Sequence, residues 1–162
     1  MDQLEKAYFS AGCFWGVESV FSAIEGVVET KVGYMGGHTS DPSYQEVCTG
    51  ETGHAETVMV IYDPSKVNYP DLLGNFWKCH DPTTLNRQGY DIGSQYRSAI
   101  FYTNEAQKKE ATASKDQLQQ GFLAQGDQRS IVTLVEPSSD FFPAEEYHQR
   151  YLEKKGQSSC SI

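Results

Sequence analysis

Hydrophobic and polar positions change period several times along the chain. Alternation in KAYFS (6–10) predicts a short first strand. From Cys13 the period lengthens: Val17, Val20, Phe21 and Ile24 fall on one face of a helix that Gly26 can stop. VVETKVGYM (27–35) reads as a strand, and GGHTSDPS after it as a loop of turn formers. AETVMVIYD (55–63) is the clearest strand, closed by Asp63-Pro64. YPDLLGNFWKCH (69–80) predicts a short helix, and DPTTLNRQGYDIGSQ (81–95) a long loop into the strand YRSAIFY (96–102). Asn104, with Gln107 three residues on, caps an exposed helix that ends near Gly121. SIVTLVE (130–136) reads as another strand. Pro143 opens a last helix with Glu145 and Glu146 in its first turn and Lys154, Lys155 and Gly156 at its end, ahead of a polar tail, QSSCSI. Strands and helices alternate irregularly, and several links are too short for crossovers. The pattern predicts an α+β two-layer sandwich with a mixed sheet, one domain over residues 1–162.

Length and composition fit this picture: 162 residues, 38% of them hydrophobic, can bury a sizeable core. The net charge of −9 argues against nucleic acid and anionic membranes as partners. The first residues lack the basic and apolar regions of a secretory signal, and no apolar run is long enough to span a bilayer, so a cytoplasmic protein is expected.

The four cysteines, at 13, 48, 79 and 160, show neither C-x-x-C nor zinc-finger spacing. In a reducing compartment the disulfides to expect are transient and catalytic. Cys13 draws attention because SAGCFWGVESV places it between a strand and a helix start. Orphan N–H groups and the positive helix end favour thiolate there, and thiolate is the nucleophile. Gly12 and Gly16 leave room for close approach, and Phe14 and Trp15 can form an apolar wall. A buried Cys13 that merely begins the core is the other reading of the same residues.

GCFWG resembles the active-site motif of the A-class peptide methionine sulfoxide reductases. VGYMGG, PSYQEVCTGETGHAETVMVIYDP, HDPTTLNRQGYDIGSQYRSAIFY and FFPAEEYHQRYL resemble further blocks of that family, in the same order. The resemblance implies a ferredoxin-like core wrapped by an irregular C-terminal tail. It also implies reduction of methionine S-sulfoxide, in proteins and as the free amino acid, by a monomer with thioredoxin as reductant and no cofactor or metal.

Carried over by motif position, Cys13 is the nucleophile and becomes a sulfenic acid as methionine leaves. Glu56 matches the general acid, a role that requires an environment favouring the neutral carboxyl. Tyr44 and Tyr96 match tyrosines that donate to the sulfoxide oxygen. Phe14 and Trp15 hold the substrate methyl group. Asp91 matches an aspartate that orders the polar network or binds substrate backbone. Cys160 is the recycling thiol, closing a Cys13–Cys160 disulfide that thioredoxin opens. His54 and His148 are expected to make structural hydrogen bonds and Cys48 to be buried. Cys79, Met35 and Tyr90 depart from the family pattern. Two rivals remain: a hydrolase or acyltransferase using Cys13, His54 and an acid, and a metal-binding module on Cys48, His54, Cys79 and His80.

Overall fold

Alternation along EKAYFSA sends Ala7, Phe9 and Ala11 to one face of the first strand, β1 (Glu5–Ala11), where all three are buried. The computed structural model, which describes residues 3–154, continues with α1 (Phe14–Ser22), β2 (Val27–Met35) and a short helix α2 (Tyr44–Cys48). Next come β3 (Ala55–Tyr62), α3 (Tyr69–Lys78) and the small strands β4 (Arg87–Gln88) and β5 (Asp91–Ile92). The chain then forms β6 (Ser98–Tyr102), α4 (Glu105–Ala124), β7 (Leu134–Pro137), β8 (Phe142–Pro143) and α5 (Tyr151–Lys154).

Among the described residues six strands form one sheet in the order β7-β6-β1-β3-β2-β8, while β4 and β5 pair as a separate hairpin. Of these described pairings only β6–β7 is parallel within the large sheet, so that sheet is mixed. The inner order β6-β1-β3-β2, with α1 and α3 as crossovers, is the ferredoxin-like arrangement. The helices α1, α3 and α4 cover one face, where Phe9, Val32, Val58, Val60 and Ile100 meet Phe14, Val17, Phe21, Leu72 and Phe76. On the other face Met35, Ala55, Ala99 and Phe101 pack beneath Tyr8 and Phe141.

Local chemistry explains the boundaries. The Asn104 side chain accepts from Gln107 N at 2.8 Å, as the cap spacing predicts, but α4 runs on to Ala124 beyond Gly121. The long loop expected over 81–95 contains the β4–β5 hairpin. α2 lies past the loop of turn formers and is opened by the S-x-x-E capping box: Ser43 Oγ accepts from Glu46 N and Glu46 Oε1 accepts from Ser43 N. β7 starts at Leu134, four residues late, because upstream backbone groups bond elsewhere. Ile131 N donates to the Gln119 side chain and Val132 N to Pro82 O.

The last helix is the clearest correction. Pro143 lies in β8 against Gly33, whose lack of a side chain permits that approach. A 3₁₀ turn (Glu146–His148) and the four-residue α5 replace the long helix. Gln149 uses its amide like a strand, accepting from Val32 N and donating to Val32 O, each at 2.9 Å. Arg150 follows with φ 52° and donates its N–H to the buried Glu18 carboxylate at 2.6 Å. Those tertiary bonds outcompete helical ones.

Phe9 sits where the layers meet, its ring stacked on Phe21 at 4.8 Å and near Phe76 at 5.4 Å. Phe9→Ala is expected to cost about 3–5 kcal/mol. Urea unfolding measures it, and a loss below about 1 kcal/mol would contradict this packing.

Candidate active site

β1 ends at Ala11 and α1 begins at Phe14, leaving Gly12 and Cys13 to make the turn. Gly12 takes φ 94°, and a Cβ there would meet Gln88 at 2.8 Å, so glycine serves both the turn and the contact. Cys13 occupies the N-cap position of α1 and is half-buried. The first turn of α1 carries no acidic residue of its own. The acceptor for its first N–H comes from the sheet instead: Phe14 N donates to Glu56 Oε1 at 3.1 Å.

Glu56 shares the helix-facing side of β3 with Val58 and Val60 and lies opposite Tyr34 on β2. Only 2% of it is exposed. Burial pushes its carboxyl up to about 8; the Phe14 N–H opposes the rise, and the charge of Asp91 adds to it. Glu56 Oε2 has no hydrogen-bond partner among the described residues. At neutral pH this is an uncharged carboxyl with a proton to give.

Tyr44 opens α2, its N–H donating to Glu145 Oε2 at 3.3 Å, and Tyr96 ends a 3₁₀ turn (Ser94–Tyr96). Burial comes first in raising both phenols. The charges at Cys48 and Glu56 add to it for Tyr44, and those of Glu56, Cys48, Asp91 and Cys13 for Tyr96. Both hydroxyls therefore stay protonated donors within the field of Glu56.

The aromatic wall differs from expectation in its depth. Phe14 is buried in the main core, so it backs the site, while Trp15, Tyr44 and Tyr151 are the half-exposed rings. Tyr151 stacks on Trp15 at 3.9 Å between centroids. Trp15 Nε1 donates to His148 Nδ1 at 3.1 Å, which leaves the His148 proton on Nε2. His148 also lies 4.4 Å from the Tyr44 ring. Tyr151, His148 and the buried Tyr34 belong to this constellation, yet no sequence period distinguishes them from packing aromatics. Asp91 is exposed on β5 and acts on Glu56 and Tyr96 through charge.

The remaining cysteines and histidines separate cleanly. Cys48, expected to be buried, is exposed at the end of α2, and its thiol pairs with the Tyr44 hydroxyl one helical turn away. His54 Nδ1 accepts from Gly37 N at 3.0 Å, so its Nε2–H donates to Thr39 O at 2.7 Å. With both nitrogens held by backbone, His54 serves neither as a base for Cys13 nor as a metal ligand. His80 bonds Phe76 O and Ser98 Oγ, and burial lowers it to about 4. Cys79 is pushed up to about 12 by burial, an inert thiol. Among the described residues no cluster of His, Cys, Asp and Glu could hold a metal. Cys160 lies outside the described residues.

A sequence profile described as peptide methionine sulfoxide reductase matches residues 5–162. Peptide methionine sulfoxide reductase MsrA of Methanothermobacter thermautotrophicus is 55% identical over 163 residues, covering 100% of this chain and 94% of that protein. Methionine sulfoxide reductase A of Corynebacterium diphtheriae is similar in structure, with a TM-score of 0.88 and 39% identity over 97% of this chain and 77% of that one. Mxr1 from Saccharomyces cerevisiae in complex with Trx2 is similar with a TM-score of 0.63 and 26% identity, over 92% and 85% of the two chains.

The Glu56 environment sets a sign for stability. A carboxyl whose folded value exceeds its usual one binds its proton more tightly when folded, so it stabilises at low pH. That contribution fades as pH rises from about 4.5 through about 8. Glu56→Gln should therefore lose less stability than the parent between those limits. Parallel pH dependences in urea unfolding would show that the carboxyl is not held neutral.

Proposed function

This chain belongs to the peptide methionine sulfoxide reductase family, and on that premise we propose that Cys13 and Glu56 carry out its reaction on methionine S-sulfoxide. The enzyme is an oxidoreductase that reduces methionine sulfoxide through a catalytic cysteine. The observation that carries the residue assignment is the buried, neutral Glu56 bonded to the first N–H of the helix that Cys13 caps.

The Cys13 thiolate, favoured by the α1 N-terminus, attacks the sulfoxide sulfur. Glu56 gives its proton to the oxygen, with Tyr44 and Tyr96 donating to the same atom. The oxygen passes to the cysteine sulfur, so methionine is reduced by two electrons and Cys13 is oxidised to sulfenic acid. Trp15 holds the substrate methyl, with Phe14 behind it, and burial keeps Glu56 protonated with the charge of Asp91 adding to it. The substrates are methionine sulfoxide in oxidised proteins and the free form, acted on by a cytoplasmic monomer. No described helix is long and apolar enough to cross a membrane.

For recycling, Cys160 attacks the sulfenic acid; a Cys13–Cys160 disulfide forms and water leaves. A thioredoxin dithiol then reduces the disulfide and is itself oxidised. Support comes from Tyr151, stacked on Trp15 beside Cys13. The six residues after Lys154, ending at Cys160, can span about 20 Å when extended. The Mxr1–Trx2 complex agrees with that choice of reductant.

Separate S and R epimers of methionine sulfoxide, assayed with thioredoxin as reductant, test the reaction. Turnover of S alone is expected, because one pocket fixes methyl, oxygen and sulfur together; comparable R turnover would refute it. Cys13→Ser should abolish reduction, and Glu56→Gln should slow it about 10²–10⁴-fold. Cys160→Ser should release about one methionine per enzyme and then stall with thioredoxin. Undiminished steady-state turnover by Cys160→Ser would remove Cys160 from the cycle and leave Cys13 as nucleophile.

A further inference from the structure

Two buried polar atoms beneath α1 have no hydrogen-bond partner among the described residues: Glu56 Oε2 and Tyr34 Oη. They belong to directly opposite residues on β3 and β2. Side chains paired in this way leave the sheet on the same face, with Cβ atoms about 4.5–5.5 Å apart. Both residues meet Phe14 there. Glu56 accepts the Phe14 N–H at 3.1 Å, and the Tyr34 ring lies 5.8 Å from the Phe14 ring. A buried hydroxyl without a partner costs stability, and phenylalanine would fill the same space without that cost. Packing accounts for the ring of Tyr34 and leaves its hydroxyl over.

Depth separates Tyr34 from the other two phenols of the site. Tyr44 and Tyr96 are half-buried and can meet a ligand from solvent, whereas Tyr34 is fully buried. Burial first, then the charges of Glu145 and Glu56, raise the Tyr34 phenol, so it keeps its O–H. The other titratable groups around Glu56 come from several elements. Cys13 caps α1, and Asp91 on β5 brings a charge to the site. Tyr44, Cys48 and Tyr96 stand within the field of Glu56. His148, packed on Phe14 at 5.5 Å, also keeps a spare Nε2–H, but its acidic neighbour is Glu145.

The need for a donor arises during the reaction. When Glu56 gives its proton to the sulfoxide oxygen, a carboxylate appears at a buried side chain. The Phe14 N–H serves Oε1, and Oε2 is left charged. A hydrogen bond to the charged form stabilises it and makes the carboxyl a stronger acid. We propose that Tyr34 is a positioning residue for the general acid, its hydroxyl donating to Glu56 Oε2, directly or across one water, as the carboxylate forms. This deepens the sulfoxide-reductase reading and rests on it.

Tyr34→Phe removes the hydroxyl and keeps the ring. In single turnovers of pre-reduced enzyme on N-acetyl-methionine S-sulfoxide amide, reduction at saturation should slow about 3- to 10-fold, as a weaker acid gives. The half-saturating concentration should stay unchanged. The alkaline limb of the rate should move up by about one pH unit, because Glu56 without the donor holds its proton more tightly. The urea midpoint should stay level or rise. A hydroxyl that serves only the fold would lower the urea midpoint and leave the limb in place; that result, or parental kinetics throughout, overturns the proposal. The carboxyl is also readable without turnover. The infrared C=O band of protonated Glu56, identified by its loss in Glu56→Gln, should vanish at higher pH in Tyr34→Phe than in the parent. Equal midpoints refute the contact. A shifted midpoint beside undiminished turnover by Glu56→Gln would support the Tyr34–Glu56 contact even as Glu56 lost its role as the acid.

Discussion

The hydrogen bond from Phe14 N to Glu56 Oε1 joins the helix that Cys13 caps to the strand that carries the carboxyl. Two requirements meet there and could conflict. A helix N-terminus favours negative charge within its first turn, and both a thiolate and a carboxylate would compete for it. Burial settles the competition by holding Glu56 neutral near pH 7, so the helix end is left to the sulfur. The same neutral carboxyl keeps a proton to donate. One desolvated group thus leaves the helix end to the sulfur and keeps its own proton.

The sheet makes this possible because β3 lies in its interior, bonded to β1 on one side and β2 on the other. A carboxyl on an edge strand would be wet and ionised. The edge at β2 is itself covered by β8 and by the Gln149 amide, which pairs with Val32 as a strand would. That cover also positions the site: Gln149 and Arg150 fix the segment whose His148 and Tyr151 hold Trp15 between them. Cover of the sheet edge and support of Trp15 therefore share one stretch of chain.

Environment also sorts the thiols. Cys79, half-buried with its sulfur donating to Phe76 O at 3.2 Å, is pushed far from ionisation. The Cys48 thiol lies against Tyr44 with Glu56 nearby, and its pKa is raised first by desolvation. Cys13 alone among the three described cysteines caps a helix N-terminus. Position in the fold, rather than residue type, decides which sulfur has an environment suited to nucleophilic attack.

The sequence by itself carried what local periodicity and capping encode. The strands β1, β2 and β3, the helices α1, α3 and α4, and the Asn104 cap are legible because hydrophobic period and capping residues mark each locally, even where a strand's partners lie far along the chain. The GCFWG and GHAE motifs singled out Cys13 and Glu56 through resemblance. Only the tertiary structure decided the rest. The late start of β7, the broken C-terminal helix and the depth of Phe14 follow from partners far along the chain: Pro82 for Val132, Val32 for Gln149, Glu18 for Arg150, and the main core for Phe14. The neutrality of Glu56 belongs with them. A carboxyl's charge state depends on which groups exclude water from it, and here they come from separate segments of the chain that only the fold brings together.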